Sequence, residues 1–487
     1  MVFSSLTFLT IFFPIFLALY FLRGNIRWRN GVLLIASLVF YAWGEPIWIL
    51  GMIGSTFINW ISAQMIVLAQ DDRQKRFWLA AGIVISGALL FVCKYAAFFF
   101  NSFSALFASS VRIPGIDLPI GISFYTFQII SYTVDVYREE TPAQKSFARL
   151  LLYVSCFPQL IAGPIVRYSD VAKQIGKRRT TPGGFSSGMR RFVIGLGKKI
   201  IFANLCGKAV AAMPLAGTGL ELSALGAWYA ALMYALQVYF DFSGYSDMAI
   251  GIGKILGFTY RENFNHPFMA LGVGDFWRRW HISLSEWFRE YIMYPLMRAK
   301  IFRKLSMKKS RRFGRMFYRN LTAIICTTVV WAFTGLWHGA SWNYVVWGLY
   351  FGLFQMLEKF AFEKIHQKLP NVVKWLLNMA ITLIGFIIFY YTDITLVFKH
   401  VGAMFFLTGN SLIDANSLLV MKTYSVFPIL AFVLSLPIGE WLGAFMKKKL
   451  TSSACEIAYA GGMLVLYVFC ILFLVGQSFN PFIYFQF

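Results

Sequence analysis

Apolar residues recur along this chain in runs of about twenty, the length a helix needs to cross a bilayer, set apart by short polar or basic stretches. Such runs fall at residues 6–22, 31–50, 51–69, 77–100, 145–163, 190–212, 222–240, 320–336, 341–358, 374–391, 424–442 and 458–477. They predict an all-α, polytopic membrane protein with about eleven transmembrane helices, since hydropathy sets the limits of each span only loosely. No linker separates folded parts and no internal repeat is visible, so residues 1–487 are expected to form one membrane domain, its motif-bearing core near 117–358. The run at 6–22 has no basic residue ahead of it and no small-residue cleavage site after it. A retained span is therefore expected in place of a removed signal peptide. Arg23, Arg27 and Arg29 follow at once, and holding them in the cytoplasm puts the N-terminus outside.

Three stretches break the apolar pattern. In 117–137, Gln128, Ser131, Tyr132 and Asp135 recur at i, i+3, i+4 and i+7, a polar stripe along one helix face. In 237–247, Gln237, Asp241, Ser243 and Asp247 interrupt an otherwise apolar run. The third, 275–291, is too charged to cross lipid bare. Asp275 is placed to cap it, and Trp277, Trp280, Leu284, Phe288 and Tyr291 form one apolar face. An amphipathic helix that lies in the interface or re-enters the protein is expected there.

Composition agrees with lipid as the solvent. Hydrophobic residues make up 58% of the chain and charged residues 14%, against about 25% charged in soluble domains; mean hydropathy is +0.63. The net charge of +24 is clustered: ten Lys/Arg and no acid lie between Arg298 and Arg319, with further groups at 173–199 and at Lys447–Lys449. Short cytoplasmic loops gripping anionic lipid account for such clusters, and attraction of a cytosolic polyanion, such as the phosphates of a CoA thioester, is the sharper alternative. Nucleic-acid binding does not fit charge that sits beside membrane spans. The six cysteines are scattered without a C-x-x-C pair, so no metal site and no disulfide framework is expected.

Five histidines separate by their company. His366 lies in a polar loop and reads as solvated, His400 ends a span and reads as interfacial, and His266 reads as a locally bonded loop residue. His338 stands within a Trp-rich apolar stretch between Gly335 and Gly339, where an ionisable group is a functional candidate by default. His281 shares the apolar face of the 275–291 segment and, taken alone, reads as a satisfied interface residue. For Asp241 and Asp247 the plain alternative is pairing with Arg278 or Arg279. A histidine inside a membrane suits acyl transfer, in which a base takes the proton of an attacking hydroxyl.

Phe276–Ser285, followed after a basic loop by Thr334–Asn343, resembles the membrane-bound O-acyltransferase family, and within it the bacterial branch containing the alginate O-acetyltransferase membrane subunit. Pro119–Phe124, Phe157–Ile165, Tyr239–Asp247, the opening Met1–Ser5 and the closing Phe479–Phe487 carry the same resemblance from end to end. It implies a helical membrane fold with a tunnel reaching a buried histidine. His338 matches the family's essential histidine, and His281 its second polar catalytic position. The expected reaction takes an acetyl group from acetyl-CoA, with no bound cofactor and no metal, and passes it across the inner membrane of a bacterium. His338 is expected as general base, with His281 assisting, and Gln128, Asp241, Asp247, Trp337 and Asn343 along the path. A secreted or membrane-tethered SGNH-type partner is expected to complete transfer to alginate, peptidoglycan or another exopolysaccharide. D-alanyl transfer to teichoic acid, and a non-catalytic transporter or scaffold, are the alternatives.

Overall fold

The computed structural model describes residues 1–107, 111–219, 221–308, 314–449 and 451–476. The closing Phe479–Phe487 motif and residues 309–313 of the basic run lie outside the described residues. Every regular element among the described residues is a helix. Trp48–Leu68, Asp72–Leu106, Arg315–His338, Asn371–Tyr390 and Ala454–Val475 are long and apolar enough to cross a membrane. The pair Ala415–Thr423 and Val426–Ser435, bent by 59°, makes a sixth if it counts as one span.

Other apolar runs take shorter or broken forms, and local residues explain the breaks. The 145–163 run splits into Phe147–Ser155 and Phe157–Leu160, where Pro158 cannot continue the preceding helix. The 222–240 run belongs to a 33-residue helix, Ala224–Leu256, that continues through the polar stretch 237–247. The segment 275–291 is not one helix. It divides into Val273–Arg279 and Ile282–Phe288, with His281 between them at φ 44°, in the left-handed region. Gly272, not Asp275, precedes the first of these helices. Asp275 sits in its first turn, where it pairs with Arg278 and Arg279.

The chain divides into two compact units. One comprises Met1–Lys199, Phe242–Glu262 and the described residues from Gly462. In it, Trp48–Leu68, Asp72–Leu90 and Ile122–Tyr137 pack together, and the last helix is buried on nearly every side, Gln128, Ser131, Tyr132 and Asp135 of its polar stripe included. Asn59 joins the three helices. Its Nδ2 donates to Ser86 Oγ at 2.6 Å and its Oδ1 accepts from Thr133 Oγ at 2.8 Å, the kind of polar contact that holds helices together where lipid offers no hydrophobic drive. Pro182–Gly197 lies directly on the second half of Ala224–Leu256. A Cβ on Gly195 would stand 2.5 Å from the Gly244 carbonyl oxygen, and one on Gly188 would stand 2.6 Å from that of Gly251. Beside this seam Asp247 accepts from Arg191 Nη2 at 2.9 Å and Lys198 Nζ at 2.6 Å, and Arg191 also binds Glu262. The pairing of Asp247 with Arg278 or Arg279 is thereby replaced, because those arginines lie against Asp275.

The other unit comprises Ile200–Asp241 and Asn263–Gly461. Its centre is the helical hairpin of Arg315–His338 and Trp342–Met356, with Asn371–Tyr390 packed on the second arm. The hairpin arms approach until backbone meets backbone: a Cβ on Gly335 would be 2.1 Å from the Tyr344 oxygen, and one on Gly348 2.2 Å from that of Trp331. His400 is fully buried here, not interfacial, with Nδ1 on Tyr391 Oη at 3.0 Å and Nε2 on the Ala227 oxygen at 3.1 Å. A buried imidazole must find partners for both nitrogens, and these come from distant parts of the chain. His266 likewise bonds the Ser435 oxygen at 3.0 Å, 169 residues away, and His366 the Leu271 oxygen at 2.9 Å.

Candidate functional site

His338 is the last residue of the Arg315–His338 helix and only 8% of it is exposed. Its ring packs against Trp347 at 4.8 Å, Trp337 at 4.9 Å and Phe389 at 5.4 Å between centroids. The glycines of the hairpin make this enclosure, since only their close contact lets Trp347 reach across to the neighbouring arm. Phe389 completes it from the Asn371–Tyr390 helix. Asn343 is buried at the start of the second arm, with Nδ2 3.5 Å from the Ile388 oxygen, next to Phe389.

His281, 1% exposed, comes to the same place from the break between its two short helices. Trp337 lies against both histidines, its ring 5.9 Å from that of His281. Burial, with His338 as the charged neighbour it would face, pushes the His281 imidazole well below its usual pKa. Its Nδ1 lies 3.2 Å from Asn263 Oδ1.

A cavity of about 620 Å³, within the size range of small-molecule and cofactor sites, lies in the same unit, though neither His281 nor His338 lines it. Along the Arg315–His338 helix its wall runs from Thr327 through Trp331 to Thr334, one helical turn short of His338. Trp277 closes it on another side, and its wall carries the cations Arg278, Arg289 and Lys359 together with the carboxylates of Glu358 and Glu363. Trp277, Trp331, Trp347 and Phe351 form a continuous aromatic layer, with centroid separations of 4.8 Å for Trp277–Trp331 and 5.5 Å for Trp277–Trp347. Trp331 Nε1 donates to Gln355 Oε1 at 2.9 Å. The buried indole N–H groups of Trp277 and Trp347 have no hydrogen-bond partner among the described residues, and so are donors available to a ligand.

The residues singled out from sequence are therefore not all gathered at one point. His281, His338, Trp337 and Asn343 converge within one unit, and Asp241 is buried in the same unit. Gln128 and Asp247 belong to the other. Gln128 is fully buried, and neither atom of its amide has a hydrogen-bond partner among the described residues. The sequence reading passed over Asn263, Glu358 and the tryptophan layer. Their importance lies in contacts between distant segments, and only the Trp-rich spelling of the two motifs hinted at the layer. Among the described residues no group of His, Cys, Asp and Glu side chains is arranged to hold a metal ion.

The sequence pattern of the membrane-bound O-acyltransferase family matches residues 137–310. A protein named as a probable alginate O-acetylase from Pseudomonas aeruginosa is 39% identical over 411 residues, 83% of this chain and 75% of the relative. Its namesake from Pseudomonas putida is 35% identical over the whole of both chains. A peptidoglycan O-acetyltransferase from Helicobacter pylori is 32% identical, covering 85% of this chain and 81% of its own.

Proposed function

Because the chain belongs to the membrane-bound O-acyltransferase family, we propose that it takes an acetyl group from cytosolic acetyl-CoA and passes it through the membrane for O-acetylation of an extracytoplasmic polysaccharide. It is a multi-pass membrane protein and an O-acyltransferase. The names of its relatives support acetyl as the group and a polysaccharide as the final acceptor. The observation that carries the mechanism is the placing of His338. It ends a membrane span whose other end is basic, one turn beyond a cavity with Arg278, Arg289 and Lys359 at its wall. From Arg315 to His338 the helix rises about 35 Å, which suits a donor bound toward the basic, cytoplasmic end and delivery toward the opposite face.

In this reading the phosphates of the donor meet the cationic wall while the thioester enters beside the tryptophan layer. His338 takes the proton of an acceptor hydroxyl as its oxygen attacks the thioester carbonyl. The tetrahedral intermediate collapses with cleavage of the C–S bond, and the imidazolium returns the proton to the leaving thiolate. The indole N–H groups of Trp277 and Trp347 are the donors at hand for the carbonyl oxygen as it gains charge. Asp241, buried in the same unit as His281 and His338, extends the polar path, within a fold of about eleven spans in the bacterial inner membrane. An SGNH-type partner outside the membrane completes transfer to the polymer.

The test is the O-acetyl content of the host's extracellular polysaccharide with wild-type protein, His338→Ala and His281→Ala, at matched membrane levels. Loss of acetylation in His338→Ala, by a factor of about 100 or more, is expected. Unchanged acetylation in that variant overturns the mechanism.

A further inference from the structure

Two segments far apart in sequence grip each other at the base of the site. The backbone oxygen of Asn263 accepts the N–H of Ile282 at 3.0 Å, and the N–H of Asn265 donates to the Arg279 oxygen at 2.9 Å. Between these bonds the side chain of Asn263, 1% exposed, turns toward His281. Its Oδ1 accepts from Ser283 Oγ at 2.8 Å and from the Ser283 N–H at 3.3 Å, and lies 3.2 Å from His281 Nδ1.

The backbone N–H of Ser283 removes the ambiguity of the amide. It can only donate, so the atom facing it must be the carbonyl oxygen, because a flipped Asn263 would set donor against donor. The same oxygen faces His281 Nδ1, which must therefore carry the proton. In a neutral imidazole this leaves the lone pair on Nε2. The left-handed backbone of His281 directs its ring to this oxygen, and its neighbours Ile282 and Ser283 are held by the same residue. His400 shows the opposite choice: its Nε2 faces a carbonyl oxygen, which fixes the proton there.

We propose that Asn263 is a positioning residue that locks His281 in the Nδ1–H tautomer and so makes Nε2 a hydrogen-bond and proton acceptor in acyl transfer. This rests on the acyl-transfer reading above. It narrows the part His281 can take: it accepts a proton or orients a hydroxyl through Nε2, and does not donate from that atom to the thioester carbonyl.

The experiment uses full-length protein in lipid bilayers with ¹⁵N-labelled histidine, the His281 signals being assigned by their absence in His281→Ala. Wild type is expected to show a protonated Nδ1 and an unprotonated Nε2 at His281; the reverse pattern overturns the proposal. Asn263→Asp keeps the size and the acceptor while placing a carboxylate on the Nδ1–H. Among the described residues His338 bears on His281, while Asp275, Arg278 and Arg279 on the preceding helix pair with one another. The new carboxylate is expected to raise the pH at which His281 Nε2 loses its proton by about one unit or more, and an unmoved midpoint overturns the proposal even if other variants fail to fold.

Activity is read as polysaccharide O-acetylation at matched membrane levels. Asn263→Leu is expected to lose about tenfold or more in a wild-type background, and to add no further loss to His281→Ala. Full, independent losses from the two changes overturn the proposal. Full activity of His281→Ala and His338→Ala instead brings down the acyl-transfer reading, while the nitrogen spectra still report the tautomer.

Discussion

Glu358 and Val273 are bonded side chain to backbone: a carboxylate oxygen of Glu358 accepts the N–H of Val273 at 2.6 Å, and that of Gly274 at 3.4 Å. Glu358 stands just beyond the second arm of the hairpin, whereas Val273 opens the short helix that carries Trp277 and leads to His281. The first N–H groups of a helix have no partner within it, and here they find one on a different element. Gly272 permits the approach, since a Cβ there would lie 2.7 Å from Glu358 Oε1. Replacing Glu358 by Ala is expected to cost about 1–2 kcal/mol through loss of this cap. The same change should reduce acetylation about tenfold by loosening Trp277 and His281. Glu358→Gln, which keeps an acceptor, should lose less on both counts, as read from thermal unfolding in detergent and polysaccharide O-acetyl content.

Gly348 and Gly462 are expected to respond in opposite directions to the same change. At Gly348 a methyl group would meet the Trp331 oxygen at 2.2 Å, so Gly348→Ala must spread the hairpin that encloses His338. A loss of about 1–3 kcal/mol or more is expected, with little activity remaining. Gly462 sits in a helix with nothing within 4 Å, and Ala there should be neutral or stabilise by up to about 1 kcal/mol. Melting temperatures of the two variants, measured side by side, check both directions.

Asp247 balances two cations with limited access to water. Its side chain is 15% exposed and those of Lys198 and Arg191 are 23% and 21% exposed. Asp247→Asn leaves both cations facing a neutral group and is expected to cost about 3–5 kcal/mol. Adding Lys198→Met should recover part of that loss, because Arg191 still has Glu262. A double-mutant cycle on thermal stability measures the coupling, and additive losses would contradict it.

The cationic wall of the cavity makes a separate prediction about the donor. If the donor is acetyl-CoA, as proposed, neutralising Arg289 or Lys359 with Gln is expected to raise its KM about five- to tenfold while leaving kcat within about twofold. The difference from wild type should shrink as salt is raised, because screening weakens the attraction. Initial rates in membrane vesicles at two ionic strengths provide the measurement.

One member of the candidate site, His338, was legible from residue type alone. A histidine among tryptophans in a lipid-facing sequence marks itself by its cost, and His338 proved buried among aromatic rings. The helix Ile122–Tyr137 and its polar stripe followed from spacing, but not its burial on nearly every side. What escaped was set by contacts across the chain. Residues 275–291 have the period of one amphipathic helix, yet the helix breaks at His281, where Asn263 holds both flanking backbone and side chain. His400 looked interfacial because it follows a lysine, whereas its partners include the Ala227 oxygen, 173 residues earlier. For Asp247 the plain alternative of Arg278 or Arg279 gives way to Arg191 for the same reason, since Arg191 is 56 residues away. Hydropathy also counts apolar runs without seeing where Pro158 or a bend at 424–425 divides them.

The contact between Pro182–Gly197 and Ala224–Leu256 has a consequence for how this protein can change over evolution. Gly188 meets Gly251 and Gly195 meets Gly244, so each helix offers two bare points seven residues, or about two turns, apart. The pairs act as two teeth of a ratchet that engage in one register only. Inserting or deleting a residue between the teeth of either helix would turn a side chain into the partner's backbone at one contact while the other stayed in place. Length variation should therefore be absent from 188–195 and 244–251 in descendants that still fold.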